Sequence, residues 1–322
     1  MKIYFDKENF ISFIGNKTSE NISYCEQMLK RRCKIQFNFS KEDIEDNSNA
    51  KLWMTRMADG LKYDISWSVN YPIRPLKANN IIADGKESLR SVYLLCGDDV
   101  AKLKSKGIVL VGDVGEEIDV LSSLWYDDMQ YIKDIFDEIN SWKDIYKYTS
   151  PTSDILIIDN FLVHHDELVE YNLIELLKIL CSHSRNQKIS IVIVMERAPT
   201  RNNEYYSQLV DDIEKKIGNI ISSPPYVTIV AAHPKQLEEH DRSIITNYKM
   251  FVSGDSFNYF DSNGDKITNG RFLSVHSLLN VNTKIKADQI LSKVSGVIKH
   301  LLDINKDCVY IKSNFKSNFI AL

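Results

Sequence analysis

The strongest constraint on the fold is a regular alternation of apolar runs and amphipathic segments between residues 154 and 232. Strands that read as continuous apolar runs are typical of a sheet covered on both faces. The sequence therefore predicts an α/β fold whose C-terminal sheet is covered by helices on both faces. The apolar runs predict strands at 154–161, 189–195 and 227–232, and the amphipathic segments predict helices at 167–182 and 208–221.

A short polar segment separates this region from an N-terminal α/β half. Residues 147–153 read KYTSPTS, and Pro151 interrupts them, which is typical of a link between domains. We therefore predict one domain at 1–150 and a second at 151–322. Apolar residues at helical spacing also predict a helix at 131–146. The first domain carries no motif that indicates catalysis, and we interpret it as an interaction module.

Composition and charge narrow the classes of function. The formal net charge of -4 argues against a protein that coats nucleic acid or anionic membrane through bulk charge. From Arg242 onward, however, 11 Lys and Arg residues stand against 6 Asp and Glu residues, so this part of the chain is locally basic.

Cellular location and cofactors are predicted from the same composition. The five cysteines contain no C-x-x-C pair, which indicates reduced thiols rather than a zinc site. The first residues lack the apolar core of a signal peptide, and no apolar run is long enough to span a bilayer. We expect a cytoplasmic, bacterial protein with no membrane partner and no metal or organic cofactor.

Residues 237–258 contain the side chains best suited to binding a phosphate. In a strand, residues two apart share a face, so His240 and Arg242 would lie about 7 Å apart on one side, with Asp241 on the other. An imidazole can attack phosphorus or accept a proton, and a guanidinium binds phosphate oxygens through paired hydrogen bonds. The pair therefore indicates a phosphate site.

The spacing of this stretch resembles the motif of the phospholipase D superfamily. That motif runs His, any residue, Lys, four residues, Asp, and then six residues to a glycine. The corresponding residues here are His240, Arg242, Asn247 and Gly254, so Arg stands for Lys and Asn stands for Asp. This His-Asp-Arg form is similar to degenerate members of the superfamily, many of which bind without cleaving.

The resemblance implies two overlapping sets of site residues. The catalytic set comprises His240, Arg242 and Asn247, and the phosphate-binding set comprises His240, Arg242, Gly254, Ser256 and Asn258. In the resembling enzymes, two histidines share the nucleophilic and acid roles without a metal. Only one such motif occurs in this chain, so catalysis would require a homodimer that brings two copies of His240 into one cleft.

Three functions remain open from the sequence. The first, which we favour, is recognition of nucleic acid or another phosphodiester within a larger assembly. The second is metal-independent hydrolysis of a phosphodiester by His240. The third is a non-catalytic scaffold in which the motif serves packing alone.

Other acidic and histidine residues suggest rival chemistry. Asp159 and Glu196 follow two predicted strands, where α/β proteins place ligands, and two carboxylates could hold a magnesium ion. His164, His165 and Asp166 look like a metal cluster, but we predict that they lie exposed just before a helix. The segment from Gly112 to Glu117 lacks the Lys and Ser of a phosphate loop, and we interpret it as a structural turn.

Overall fold

Two compact units, Met1–Met129 and Gln130–Leu322, make up the chain in this computed structural model. Each unit is α/β and contains one of the two sheets. The second unit starts before residue 151 because the strand Ile132–Asp134 pairs with Leu273–Ser277. The residues described are 1–15, 24–29, 33–40, 42–58, 68–70, 85–124, 126, 130–184, 188–232, 242–267, 272–304, 306–311 and 316–320.

The first unit is built on a parallel sheet of five strands in the order β3-β2-β1-β4-β5. The strands are β1 (Lys2–Phe5), β2 (Lys34–Phe37), β3 (Ser68–Asn70), β4 (Val92–Leu94) and β5 (Val111–Gly112). Its helices include α1 (Lys7–Gly15), α2 (Ser48–Ala58), α3 (Asp99–Lys104) and α4 (Val114–Ser122), with 3-10 turns at Glu42–Ile44 and Gly85–Arg90.

Side-chain hydrogen bonds join the carboxyl ends of the central strands of this sheet. After β1, Asp6 accepts the backbone N–H of Cys96 at 2.6 Å, and Asn9 accepts that of Val114 at 2.7 Å. Asp113 accepts the N–H of Gly115 at 2.7 Å and so caps α4. The prediction of a structural turn at Gly112 to Glu117 is confirmed.

The carboxyl group of Glu117 makes the stability of the first unit depend on pH. Its side chain is buried, and its Oε1 lies 3.0 Å from where a Cβ on Gly112 would be. Burial raises the pKa of Glu117 from 4.5 to about 7, with Lys104 opposing the shift and Glu116 adding to it. The folded chain therefore binds this proton more tightly than the unfolded chain, and stability falls as pH rises from 4.5 to about 7.

We expect Glu117→Gln to remove this pH dependence. Above pH 7 the variant should be more stable than the natural chain by about 2 kcal/mol, because an amide carries no charge to bury. Urea unfolding of the first unit, followed at pH values below 4.5 and above 7, measures the difference. Glu45→Gln is the control, because that side chain is exposed and its loss should leave both midpoints in place.

The second unit is built on a mixed sheet of eight strands in the order β13-β9-β8-β7-β10-β11-β12-β6. Strands β7, β8 and β9 run parallel, and every other neighbouring pair is antiparallel. The strands are β6 (Ile132–Asp134), β7 (Asp154–Ile158), β8 (Ser190–Glu196), β9 (Tyr226–Ala232), β10 (Arg242–Ile245), β11 (Lys249–Ser253), β12 (Leu273–Ser277) and β13 (Val309–Ile311).

The strands predicted at 154–161, 189–195 and 227–232 and the helices predicted at 167–182 and 208–221 are confirmed within a few residues. Every residue of β7 is buried, and because side chains alternate along a strand, the sheet is covered on both faces there. In the described part of the chain, no helix is long and apolar enough to cross a membrane. The helices are α5 (Asp166–Val169), a π-helical segment (Glu170–Ile174), α6 (Glu175–Cys181), α7 (Asn203–Ile221) and α8 (Val281–Ile304).

The helix predicted at 131–146 is wrong. This segment forms β6 and two 3-10 helices, Phe136–Glu138 and Trp142–Tyr148. The apolar residues that suggested a helix are mostly buried, but β6 pairs with β12 at the edge of the sheet. Tertiary pairing has overridden the local pattern, as it often does for short segments.

Candidate functional site

The β10–β11 hairpin carries the part of the predicted motif that the structure describes. It turns at residues 246–248, with Ile245 opposite Met250. Strand β10 also pairs antiparallel with β7, so that Ser243 lies opposite Ile158. Arg242 therefore stands at the carboxyl end of β7, the edge of a parallel strand where α/β proteins bind ligands. His240 and Asp241 lie outside the described residues, so the position of the predicted nucleophile stays a prediction.

Asn247 lies at the opposite end of the hairpin from Arg242. Strand β10 spans about 10 Å from Arg242 to Ile245 at a rise of 3.3 Å per residue, and Asn247 lies in the turn beyond its far end. The amide of Asn247 is fully buried, and its oxygen accepts the Thr152 hydroxyl at 2.7 Å and the Ser153 N–H at 2.9 Å. These bonds fix the start of β7. Asn247 thus has a structural role in place of the catalytic role that its position in the motif implied.

Gly254 serves close packing at the end of β11. Its N–H donates to the carbonyl oxygen of Phe272 at 3.1 Å, so this donor is already used within the sheet. A Cβ at this position would lie 2.5 Å from the Phe272 ring, which explains why glycine stands here. The structure therefore accounts for Gly254 without the phosphate that the motif implied.

Arg242 is a half-buried cation at the edge of the site. Its guanidinium carbon lies 5.5 Å from the centroid of the Phe161 ring, in cation–π contact. Within the ranges that the structure describes, no carboxylate lies within ion-pair distance of Arg242. A guanidinium is always charged and offers paired donors that suit an anion.

Phe161 also lines a pocket of about 300 Å³. One wall comes from the segment after β7, and the other comes from the segment after β11. Ser256 and Asn258, two of the predicted phosphate-binding residues, line the second wall. The first wall contains Phe161, His164, His165 and Leu168, and the second adds Asp255 and Ile267.

Asp159 holds the two walls together. Its carboxylate accepts the N–H of Phe161 at 2.9 Å, the hydroxyl of Ser256 at 2.9 Å and the N–H of Phe257 at 2.6 Å. Burial raises the pKa of Asp159 from 3.8 to about 6, against the opposing effect of these hydrogen bonds and of Arg242. The carboxylate is used inside the fold, so Asp159 positions the pocket.

The rival metal sites gain no support from this geometry. Among the residues placed by the structure, no group of three or more His, Cys, Asp or Glu side chains could hold a metal ion. Asp166 pairs with Arg201 at 2.7 Å, and the exposed His165 lies 3.7 Å from Glu167. His164 differs from the prediction of an exposed residue, because it is half-buried and lines the pocket.

Asn172 is a positioning residue that sequence reasoning missed. It lies in the π-helical segment, where its amide donates to the Phe260 carbonyl at 2.7 Å and accepts the Phe260 N–H at 2.9 Å. This pair of bonds fixes the end of the second pocket wall. The sequence does contain a signal for this role, because Asn172 is a polar residue among the apolar residues of the helix predicted at 167–182. A buried amide needs hydrogen-bond partners.

No protein-family model matches the chain, and no curated protein matches it. The structure brings Arg242, Ser256 and Asn258 to the carboxyl end of β7, and it leaves Asn247 at the opposite end of the hairpin.

Proposed function

We propose that the second unit is a degenerate phospholipase D-like domain that recognises phosphate groups of nucleic acid. Arg242 would bind the phosphate, and Ser256 and Asn258 would supply polar contacts beside it. The observation that carries the proposal is the half-buried guanidinium of Arg242, which forms no direct ion pair with a carboxylate of the described residues and contacts Phe161 at a pocket.

Charge favours an anionic ligand at Arg242. A partly desolvated cation is costly unless an opposite charge or hydrogen-bond acceptors compensate it. A phosphate does so through two parallel N–H···O bonds with the guanidinium. The Phe161 ring below the cation restricts its motion, which reduces the entropy lost on binding.

Recognition is favoured over hydrolysis because the catalytic set is divided. Asn247 is held inside the fold at the far end of β10, where it can orient neither Arg242 nor a ligand at the pocket. Arg in place of Lys preserves the charge but changes the reach and shape of the donor. Phosphate binding is possible with Arg in place of Lys and Asn in place of Asp. Covalent catalysis would instead require His240, Arg242 and Asn247 to lie together at one site.

The proposed partners of this chain are a nucleic acid and other protein chains. We propose that the first unit contacts another protein of a larger assembly in a bacterial cytoplasm. Self-association would be required only for hydrolysis, since each chain has one His-Asp-Arg sequence. Size-exclusion chromatography with light scattering, performed with and without oligonucleotide, separates these two forms of association.

Binding and cleavage can be measured on the same samples. Fluorescently labelled single-stranded DNA and RNA are mixed with the full chain in EDTA, and anisotropy is read before the strands are resolved on a denaturing gel. We expect binding without cleavage, with a slope of log K against log salt of about -1 to -2, because few phosphates are contacted.

Two other outcomes would contradict recognition as the sole function. Cleavage that persists in EDTA and disappears in His240→Ala would establish the phosphodiesterase instead, because histidine chemistry requires no metal. Absence of binding to every strand at low salt would leave the scaffold function, with the motif serving packing.

A further inference from the structure

The pocket beside Arg242 has the size and chemistry of a site for one nucleobase. Its volume of about 300 Å³ is at the lower end of the range for small-molecule sites. Three of its lining side chains are apolar, namely Phe161, Leu168 and Ile267. Phe161 is 38% exposed, so part of its ring can be reached from outside the fold.

The part of the pocket that Asp255 lines is unsuited to phosphate. Asp255 lines it, and its carboxylate also accepts the N–H of Ser256 at 2.8 Å. A carboxylate repels a phosphate but accepts hydrogen bonds from amino groups, as acidic residues do from the N4 amino group of cytosine. The pocket therefore favours an uncharged group that has N–H donors and a flat apolar surface.

His164 adds a second polar group to the same pocket. Its Nε2 is buried and has no hydrogen-bond partner among the residues whose positions are given. The imidazole packs at right angles to Phe161, with the ring centroids 5.1 Å apart. Burial lowers the pKa of His164, which favours the neutral ring that can donate or accept one hydrogen bond.

We propose that this pocket holds one unstacked base of a single-stranded nucleic acid, with Asp255 accepting a hydrogen bond from the amino group of the base. The inference rests on the proposed function, because the phosphate of the same nucleotide would lie on Arg242. Phe161 lines the pocket, and its ring centroid lies 5.5 Å from the guanidinium carbon of Arg242, so both contacts would fall on one nucleotide. Aromatic stacking would supply affinity, and Asp255 would supply preference among bases.

Three oligomers of equal length test the base pocket against the full chain. They are oligodeoxycytidylate, oligodeoxythymidylate and an abasic strand with the same number of phosphates, each read by anisotropy in EDTA. We expect the cytidine strand to bind about 5- to 100-fold more tightly than the abasic strand, the range that base stacking gives. It should also bind about 10-fold more tightly than the thymidine strand, which lacks an exocyclic amino group.

Two variants locate the effect in the pocket. Asp255→Asn keeps the shape of the side chain and should reduce the preference for cytidine over thymidine from about 10-fold to about 2-fold. Leu168→Trp fills the pocket and should lower cytidine binding to the abasic level while abasic binding is unchanged. The matched control is Leu52→Trp, at an exposed position of the first unit, and it should alter no affinity. Thermal unfolding of each variant verifies the fold.

The outcomes separate this inference from the proposed function. Equal affinity for all three strands, with inorganic phosphate as an effective competitor, would overturn the base pocket and leave phosphate recognition intact. Loss of base preference in Leu52→Trp as well as in Leu168→Trp would also overturn it. Failure of the natural chain to bind any of the strands would overturn the proposed function, and the base pocket with it.

Discussion

Arg242→Ala is expected to weaken binding of single-stranded nucleic acid by about 10- to 100-fold, because each hydrogen bond to a charged group contributes about 1.5 to 3 kcal/mol. The loss should be similar for strands of different sequence, since a phosphate contact carries no sequence information. The slope of log K against log salt should become shallower by about 0.7, the value for one phosphate contact on a single strand. Anisotropy titrations over a range of salt concentrations measure both effects.

Three further variants serve as comparisons for Arg242→Ala. Lys188 precedes β8 and packs on Tyr226, the first residue of β9. It therefore lies at the amino ends of the parallel strands, away from Arg242, and Lys188→Ala should leave affinity for nucleic acid unchanged. Arg242→Lys should recover part of the affinity, because the charge returns without the paired donors. Asn247→Ala should lower stability by about 1 to 3 kcal/mol through the loss of its buried bonds, with affinity retained. An equal loss of affinity in Lys188→Ala and Arg242→Ala would argue against a specific phosphate site.

Asp159→Ala is expected to cause a large loss of stability, about 3 to 5 kcal/mol for the second unit. The substitution leaves the N–H groups of Phe161 and Phe257 and the hydroxyl of Ser256 without their acceptor. Because these bonds also hold the pocket walls, the variant should lose nucleic-acid affinity. Urea unfolding and anisotropy on the same preparation measure the two effects.

The loss of stability caused by Asp159→Ala should depend on pH. The folded pKa of about 6 exceeds the ordinary value of 3.8, so the folded chain binds this proton more tightly than the unfolded chain. The stability that Asp159 contributes is fully present below pH 3.8 and is lost as pH rises through about 6. The destabilisation caused by alanine should therefore be smaller above pH 6 than at acid pH. A difference that grows with rising pH would contradict this account.

Asp154 provides a matched control on the same strand. It lies at the amino end of β7, is also buried, and accepts the N–H of Asn318 at 2.7 Å and the Ser317 hydroxyl at 3.0 Å. Asp154→Ala should cost a comparable free energy of unfolding, because buried donors again lose their acceptor. Its affinity for nucleic acid should remain that of the natural chain. Equal losses of affinity in both aspartate variants would mean that general destabilisation, and not the pocket, explains the effect.

The two parts of the fold differed in how well they could be predicted. Strands β7, β8 and β9 were predicted within a few residues, because apolar runs between amphipathic helices leave few alternatives. Residues 131–146 have apolar side chains at helical spacing, yet they form a strand and 3-10 helices. The partner that overrides the pattern is β12, which is distant in sequence and cannot be read from the local pattern.

The site shows the same division between local and distant information. The spacing of Arg242, Asn247 and Gly254 predicts one site, although an antiparallel hairpin places residues five apart near opposite ends of a strand. Asp159 was considered a metal ligand because it follows a strand, and its real partners are Ser256 and Phe257. Those partners are visible only once β10 and β7 lie side by side.

The sequence by itself determined the α/β class, the buried central strands and the position of a basic residue with phosphate-binding potential. Each of these follows from hydrophobic periodicity or side-chain chemistry, which act over a few residues. Only the tertiary structure decided that Arg242 meets Phe161 at a pocket while Asn247 stays inside the fold. The reason is that hydrogen-bond partners and burial depend on strand order, which joins residues far apart in the chain.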